Sequence, residues 1–224
     1  MTRTKLSDRL LPDYTKGEEI FNTVSHIVGG ALSAIALIMC VLTSAAKSDA
    51  FGIVGGAVYG ASLIAVYTVS SVYHGLKSPM AKKVMQVIDH CTIYFLIAGT
   101  YTPILLSSIR EVSPAAAWSL FGIVWGLAAL GATFTAIDLK KYAVLSMICY
   151  IGMGWSVVIA LDTAIKALTV AGFLYILAGG IVYTVGAVLY GMGKKHRYMH
   201  STFHVFVVAA SILQFIGVYF YVIL

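Results

Sequence analysis

The sequence has 224 residues, of which 60% are hydrophobic and only 11% are charged. Soluble domains carry about 25% charged residues, so this composition excludes an ordinary water-soluble globule. The net charge of +6 at pH 7 requires no nucleic-acid partner, because basic loops beside anionic lipid headgroups explain it.

Seven apolar segments follow one another along the chain. They cover residues 20–46, 51–76, 84–109, 115–137, 142–161, 167–190 and 199–224. Each is long enough, at about 20 residues, to cross ~30 Å of hydrocarbon as an α-helix. The alternating segments of a membrane β-barrel are absent. The sequence therefore predicts an all-α polytopic membrane protein, a bundle of seven transmembrane helices.

The connections between the segments are short and leave no room for a second domain. We expect residues 1–19 to form an N-terminal tail and residues 20–224 to form one seven-helix domain. The first 16 residues are polar and contain no apolar core before a cleavage site, so no signal peptide is expected.

Lys and Arg are unevenly divided between the two sides of this arrangement. One side has the tail and the second, fourth and sixth connections, with 12 of the 15 basic residues. These are Arg3, Lys5, Arg9, Lys16, Lys77, Lys82, Lys83, Lys140, Lys141, Lys194, Lys195 and Arg197. The other side has Lys47, Arg110 and Lys166. Because cytoplasmic loops are enriched in Lys and Arg, we expect a cytoplasmic N-terminus and an external C-terminus.

Ionisable residues lie near one end of four predicted spans. They are His26 in the first span, His74 in the second, Asp89 and His90 in the third, and His200 and His204 in the seventh. All of these helix ends belong to the predicted cytoplasmic side. Since ionisable side chains are costly at membrane depth, their convergence indicates a functional site.

The spacing of these residues favours a metal. His200 and His204 are four residues apart, so both imidazoles face one side of a helix. With His74 they provide three ligands and leave one tetrahedral position open, as in catalytic zinc sites. Asp89 is expected to hold a water there or accept its proton, and Ser70, one turn from His74, to support the site. We expect zinc, ahead of iron; the alternative is a buried polar network without a metal.

Three further histidines have simpler interpretations. His26 is typical of a hydrogen-bond partner between membrane helices. His90 points about 100° away from Asp89, so we expect it to meet a neighbouring helix or a lipid headgroup. His196 lies among basic residues and is interpreted as a loop residue.

Four motifs occur in order at these helix ends. They are Glu19-x-x-Asn22-x-x-x-His26, Ser70-x-x-x-His74, Asp89 followed by Gly99-x-x-x-Pro103, and His200-x-x-x-His204. In this order the chain resembles the hemolysin III branch of the progestin and adipoQ receptor (PAQR) family. That family is related to adiponectin receptors and alkaline ceramidases, and the resemblance covers nearly the whole chain.

The resemblance implies a seven-helix fold with an intramembrane zinc near the cytoplasmic face. The implied zinc ligands are His74, His200 and His204, with a water held by Asp89 and with Ser70 beside the ligands. Glu19, Asn22 and His26 form the supporting motif. The resemblance gives no role to His90, and it implies a multi-pass protein of a bacterial cell (inner) membrane.

Three hypotheses for function differ in class. The first is a lipid-directed zinc hydrolase that cleaves an acyl amide or ester, in line with the ceramidase relationship. The second is a non-enzymatic sensor or regulator of membrane state with a structural zinc. The third, a cytolytic pore-forming hemolysin, ranks last because no polar helix face lines a channel. A membrane lipid is the expected substrate or ligand.

Closely spaced glycines in the second span bear on oligomeric state. Gly52-x-x-Gly55 and Gly56-x-x-x-Gly60 suit close helix approach in lipid. We expect them to pack within the bundle, and the alternative is the contact face of a homodimer.

Overall fold

The computed structural model describes residues 4–193 and 196–224, and across these ranges all regular secondary structure is helical. Arg3, Lys194 and Lys195, which enter the orientation argument, lie outside the described residues. The α-helices are α1 (Lys16–Ala46), α2 (Ala50–Gly75), α3 (Pro79–Pro103), α4 (Arg110–Val112), α5 (Pro114–Ile137), α6 (Ala143–Gly154), α7 (Leu161–Met192) and α8 (Met199–Val218). Short 3₁₀ segments cover Leu6–Asp8 and Ser156–Ala160, and π-helical segments cover Ile104–Ile109 and Tyr219–Ile223.

Within the described ranges, six helical segments are long and apolar enough to cross a membrane. They are Lys16–Ala46, Ala50–Gly75, Pro79–Val112, Pro114–Ile137, Ala143–Met192 and Met199–Ile223. Their outer surfaces carry exposed apolar side chains, among them Ile27 and Leu42, as a lipid-facing surface requires. The prediction of an all-α, multi-span membrane protein is confirmed.

The segment Ala143–Met192 has 50 residues and is not one straight helix. The predicted connection at residues 162–166 is wrong, because α7 already begins at Leu161. Asp162 lies in the first turn of α7, where a carboxylate favours a helix, and alanine and leucine sustain it. The interruption comes instead at Thr169, with φ 59° and ψ 164°. Its Oγ1 accepts a hydrogen bond from Gly172 N at 3.4 Å, as the cap of a new helical stretch does.

α1 and α3 each begin a turn or more before the predicted span. α1 begins one turn before residue 20 because Thr15 and Glu18 form a capping box that satisfies the first free amides. α3 begins at Pro79 rather than at residue 84, since proline is favoured at the first helical position. These early starts place Glu19 and Lys82 on helical turns instead of in connections.

Consecutive helices pack side by side into one bundle. α1 packs on α2, α2 on α3, α3 on α5 and α7 on α8, and contacts between α8 and α1 join the last helix to the first. The predicted glycine face of α2 lies inside it. A side chain at Gly55 would meet the backbone of Pro103 at 2.7 Å, and one at Gly60 would meet Leu37. These glycines therefore allow close approach within the bundle.

One end of the bundle, where α2 ends and α1, α3 and α8 begin, is called the His74 end below. The N-terminal tail lies across it. Thr4 N donates to Asp138 Oδ2 at 2.8 Å, and Lys83 Nζ donates to the carbonyl oxygen of Ser7 at 2.5 Å. These contacts tie the tail to the ends of α5 and α3.

Candidate metal centre

Three imidazoles meet at the His74 end. His74 comes from the last turn of α2, and His200 and His204 come from the first two turns of α8. One nitrogen from each ring lies within 4.8 Å of the other two. His200 Nε2 lies 3.4 Å from His74 Nε2 and 3.1 Å from His204 Nε2. All three side chains are buried, and the cluster can hold a metal ion.

The environment of His74 favours the protonation state that a metal needs. Glu19 Oε2 lies 2.6 Å from His74 Nδ1, so the carboxylate accepts the proton of that nitrogen. The other nitrogen, Nε2, then carries a lone pair directed at His200. A carboxylate behind a histidine ligand is the usual support of a zinc site. The donor set, three imidazoles backed by a carboxylate, therefore fits zinc.

Lys82 extends this support, a role that was not predicted from the sequence. Its Nζ lies 2.6 Å from Glu19 Oε1 and donates to the carbonyl oxygen of His74 at 3.2 Å. Lys82 is only 9% exposed, although its charge predicts a residue in a solvent-exposed loop. The available signal was Pro79, which predicts a helix start and places Lys82 in the first turn of α3.

Asn22 and His26, the rest of the first motif, lie on the α1 side of the cluster. Asn22 Nδ2 is 3.4 Å from His74 Nδ1. The His26 ring stacks on His204, with centroids 3.8 Å apart, and meets the edge of Tyr67 at 5.0 Å. Neither ring nitrogen of His26 has a hydrogen-bond partner among the described residues. The expected interhelical hydrogen bond is therefore wrong, and His26 packs its ring against that of His204.

Asp89 lies beside the three imidazoles but outside their group. It is not one of the residues whose ligand atoms lie within 4.8 Å of one another. The Ser70 hydroxyl hydrogen-bonds to its carboxylate, and its side chain is 15% exposed. Asp89 and Ser70 line the same cavity as His200 and His204. The carboxylate thus faces the space next to the cluster.

His90 and His196 lie away from the cluster. His90 Nδ1 donates to the carbonyl oxygen of Gln86 at 2.8 Å, and its Nε2 accepts from the Tyr190 hydroxyl at 3.1 Å. His90 therefore joins α3 to α7. His196 is exposed, in the turn that leads to α8.

Tyr14 of the tail covers the cluster from the His74 end. Its ring is stacked on His200, with centroids 4.8 Å apart and planes 16° apart, and it lies 5.7 Å from the His74 ring. Glu18 Oε1 accepts from Tyr198 N at 2.6 Å, which fixes the start of α8 against α1. No sequence signal singled out Tyr14, because the tail appeared as a polar segment without a partner.

A cavity of about 480 Å³ extends from the cluster between α3, α6, α7 and α8. Most of its wall is apolar, with Ile97, Ile151, Phe173 and Leu177 among the lining residues. α6 packs on α3 and α5, whereas α7 packs on α8, so the two helices form separate walls. The cluster therefore opens onto a long apolar chamber.

Comparisons with known proteins identify the family. The model of the family described as Haemolysin-III related matches residues 14–215. The chain belongs to this family. It is 38% identical to "Hemolysin-3" of Bacillus cereus over 205 residues, which cover 92% of both chains. It is 36% identical to "Hemolysin-3 homolog" of Bacillus subtilis (strain 168) over 208 residues, or 93% of this chain and 96% of the relative.

A more distant relative connects the family to animals. The chain is 27% identical to the human "Monocyte to macrophage differentiation factor" over 171 residues, which cover 73% of this chain and 68% of the relative. The predicted resemblance to the hemolysin III branch of the PAQR family is confirmed.

Proposed function

We propose that this protein is an intramembrane zinc hydrolase that cleaves an acyl amide or ester bond of a membrane lipid. One observation carries the proposal. Three buried imidazole nitrogens within 4.8 Å of one another lie at one end of an apolar cavity of about 480 Å³. A histidine cluster that can hold a metal and that opens onto apolar space suits a substrate that is itself a lipid.

The residues of the cluster divide into ligands and proton carriers. His74, His200 and His204 would hold the zinc, and Glu19 fixes the orientation of His74. Zinc, when bound, supplies a Lewis acid that polarises a carbonyl and lowers the pKa of water. Asp89 accepts the proton of the attacking water and passes it to the leaving group. Ser70 orients the Asp89 carboxylate through its hydrogen bond.

The cavity binds the apolar part of the substrate. Side chains such as Ile97 and Phe173 line it, so an acyl chain placed there is removed from bulk water. Its carbonyl end then lies beside the cluster, next to Asp89. Exclusion of water from the chamber strengthens the interactions of Asp89 and the imidazoles with the reacting atoms.

We further propose that the chain crosses the membrane seven times. The break at Thr169 would divide the segment Ala143–Met192 into two crossings, with Lys166 near the end of the first. The distribution of Lys and Arg then supports a cytoplasmic position for the His74 end. Because the two Bacillus relatives at 38% and 36% identity are bacterial, we infer that the membrane is a bacterial cell membrane and that the activity acts in membrane lipid homeostasis.

A regulator of membrane state is the second candidate. It is favoured by the way that the cluster links helices, since ligands and support come from α1, α2, α3 and α8. A metal there would hold four helices together without any turnover. A pore, which the name of the Bacillus cereus relative suggests, ranks last because the cavity wall is apolar.

Turnover is tested with purified, zinc-loaded protein in liposomes that contain an N-acyl sphingoid lipid. Mass spectrometry should detect zinc-dependent release of free fatty acid. Lipidomics of cells with and without the protein should show the corresponding lipid rising when the protein is removed. Absence of release from amide and ester lipids by fully loaded protein would favour the regulator.

A further inference from the structure

Three hydroxyls meet inside the bundle beyond the histidine cluster, and one of them, that of Tyr183, belongs to a residue that lines the cavity. The Tyr67 hydroxyl donates to Ser211 Oγ at 2.6 Å, and the Tyr183 hydroxyl lies 2.6 Å from the same oxygen. Tyr67 and Ser211 are 1% and 7% exposed, and Tyr183 lines the cavity. Polar groups at this depth are costly in a membrane, so the arrangement needs an explanation.

The protons of this group can be followed one by one. Tyr67 can donate to Ser211 Oγ or to the carbonyl oxygen of Val207 at 3.3 Å, and either oxygen of the Tyr183–Ser211 pair can donate to the other. When Tyr67 donates to Ser211 and Ser211 donates to Tyr183, the phenolic proton of Tyr183 is available to a molecule in the cavity. Because Tyr183 lines the cavity, it offers a hydrogen-bond donor to a molecule inside.

Gln214 supplies the complementary acceptor. Its Nε2 donates to the carbonyl oxygen of Ile176 at 3.1 Å, whereas its Oε1 has no partner among the described residues. The residue is 7% exposed and lines the same cavity. Gln214 lies three residues after Ser211, so both side chains share a face of α8. Buried acceptors without a partner are rare, which points to a ligand.

We propose that Tyr183 and Gln214 form a subsite for a hydroxyl group on the chain of a lipid ligand. A hydroxyl both donates and accepts, so it satisfies the Gln214 oxygen and the Tyr183 proton together. Ser211 and Gln214 follow His204 by seven and ten residues on α8, which is about 10 and 15 Å along a helix. The ligand is therefore a long-chain acyl lipid that carries a hydroxyl near the middle of its chain. Its acyl nature rests on the proposed function above.

Binding of defined fatty acids tests this subsite. The zinc-loaded full chain, in detergent, is equilibrated with tritiated octadecanoic acid, which is displaced by 10-hydroxyoctadecanoic, 2-hydroxyoctadecanoic or unlabelled octadecanoic acid. We expect the 10-hydroxy acid to bind about tenfold more tightly than the other two, the scale of two additional buried hydrogen bonds. Gln214→Leu and Tyr183→Phe should each remove most of this preference, with binding of octadecanoic acid unchanged.

Thr100→Val is the matched control. Thr100 also lines the cavity, but its hydroxyl already donates to the carbonyl oxygen of Leu96 at 2.9 Å. This variant should keep the full preference for the 10-hydroxy acid. Should Gln214→Leu fail to fold, Tyr183→Phe gives the same readout.

The outcomes separate this inference from the proposed function. Equal binding of the three acids by the wild-type protein, or an unchanged preference in Tyr183→Phe, overturns the subsite and leaves water as its occupant. A preference that is present in protein without hydrolytic activity supports the subsite while the hydrolase proposal fails. Hydrolysis by a protein that shows no preference for the 10-hydroxy acid supports the hydrolase proposal while the subsite proposal fails.

Discussion

Glu19 Oε2 lies 2.6 Å from His74 Nδ1, and this contact joins the first turn of α1 to the last turn of α2. The carboxylate fixes both the ring orientation and the tautomer of His74. Lys82, 2.6 Å from the other carboxylate oxygen, keeps Glu19 charged and directed at the ring. A residue that binds no metal therefore controls the geometry of one that can.

Glu19→Gln should weaken zinc binding without unfolding the protein. An amide does not orient the ring as a carboxylate does, and loss of such a partner costs about 10–100-fold in metal affinity. Lys82→Met should have a smaller effect in the same direction. Competition with a zinc-sensitive dye measures both. Lys83→Met is the control, because Lys83 contacts the tail rather than Glu19, and equal affinity in all three variants would contradict the relay.

The purified wild-type protein should contain about one zinc per chain. The His200→Ala and His204→Ala variants should lose it, because the imidazoles that remain bind a divalent ion weakly. Elemental analysis by mass spectrometry provides the measurement. His196→Ala, an exposed histidine outside the cluster, should keep full occupancy. Full zinc in the His200→Ala/His204→Ala double variant would eliminate the site.

Asp89→Asn should separate chemistry from metal binding. Three imidazoles still hold zinc, so the metal content stays near that of the wild type. The amide has almost the shape of the carboxylate but does not accept a proton at neutral pH, so fatty acid release should fall by about 10²–10⁴-fold, the usual contribution of a general base. His74→Ala should lose both metal and release. An Asp89→Asn protein with wild-type effects on cellular lipids would favour the regulator.

Single cysteines should report opposite sides of the membrane for residues 77 and 166. Lys77, Lys140 and Lys166 are all exposed. Each is replaced singly by cysteine in a protein whose native cysteines have been replaced by alanine, namely Cys40, Cys91 and Cys149. An impermeant maleimide applied to intact cells should label only position 166. Labelling of position 166 only after lysis would mean that the segment Ala143–Met192 does not cross twice.

Asp138 should stabilise the attachment of the tail in a pH-dependent way. The backbone N–H of Thr4, and then that of Lys141, lower the pKa of Asp138 to about 2, below the unfolded value of about 3.9. Its stabilisation is therefore complete above about pH 4 and is lost as the pH falls toward about 2. The melting temperature of Asp138→Asn should lie below that of the wild type at neutral pH, and the gap should shrink in acid. Asp13→Asn, an exposed tail residue, should show no gap.

The convergence of the three histidines could be predicted because their signals are local. His200 and His204 are one helical turn apart, and His74 lies at the end of an apolar run, so helix periodicity and span length already place them together. The role of Lys82 depends on a contact between α1 and α3, and that contact depends on a helix start at Pro79. The positive charge of Lys82, taken alone, predicts a loop at this position.

Two further features, the interruption at Thr169 and the cavity, could not be predicted from the sequence, and each has its own reason. Asp162 and Lys166 are the polar residues of their region, and polarity predicts a connection even where alanine and leucine continue the helix. The cavity is a property of helix packing, because its walls come from α3, α6, α7 and α8. The pattern of apolar residues along one helix does not show where a neighbouring helix is absent and a cavity is left.

The ring of Tyr14 over His200 would affect how a metal bound to the three imidazoles is exchanged. An ion or chelator that arrives from water on that side has to displace the tail before it reaches the imidazoles. The rates of metal loading and removal would then depend on the opening of the tail, whereas the affinity would depend on the histidines beneath it. The metal found in a purified sample would thus record what was available while the protein folded, more than the buffer in which it was stored.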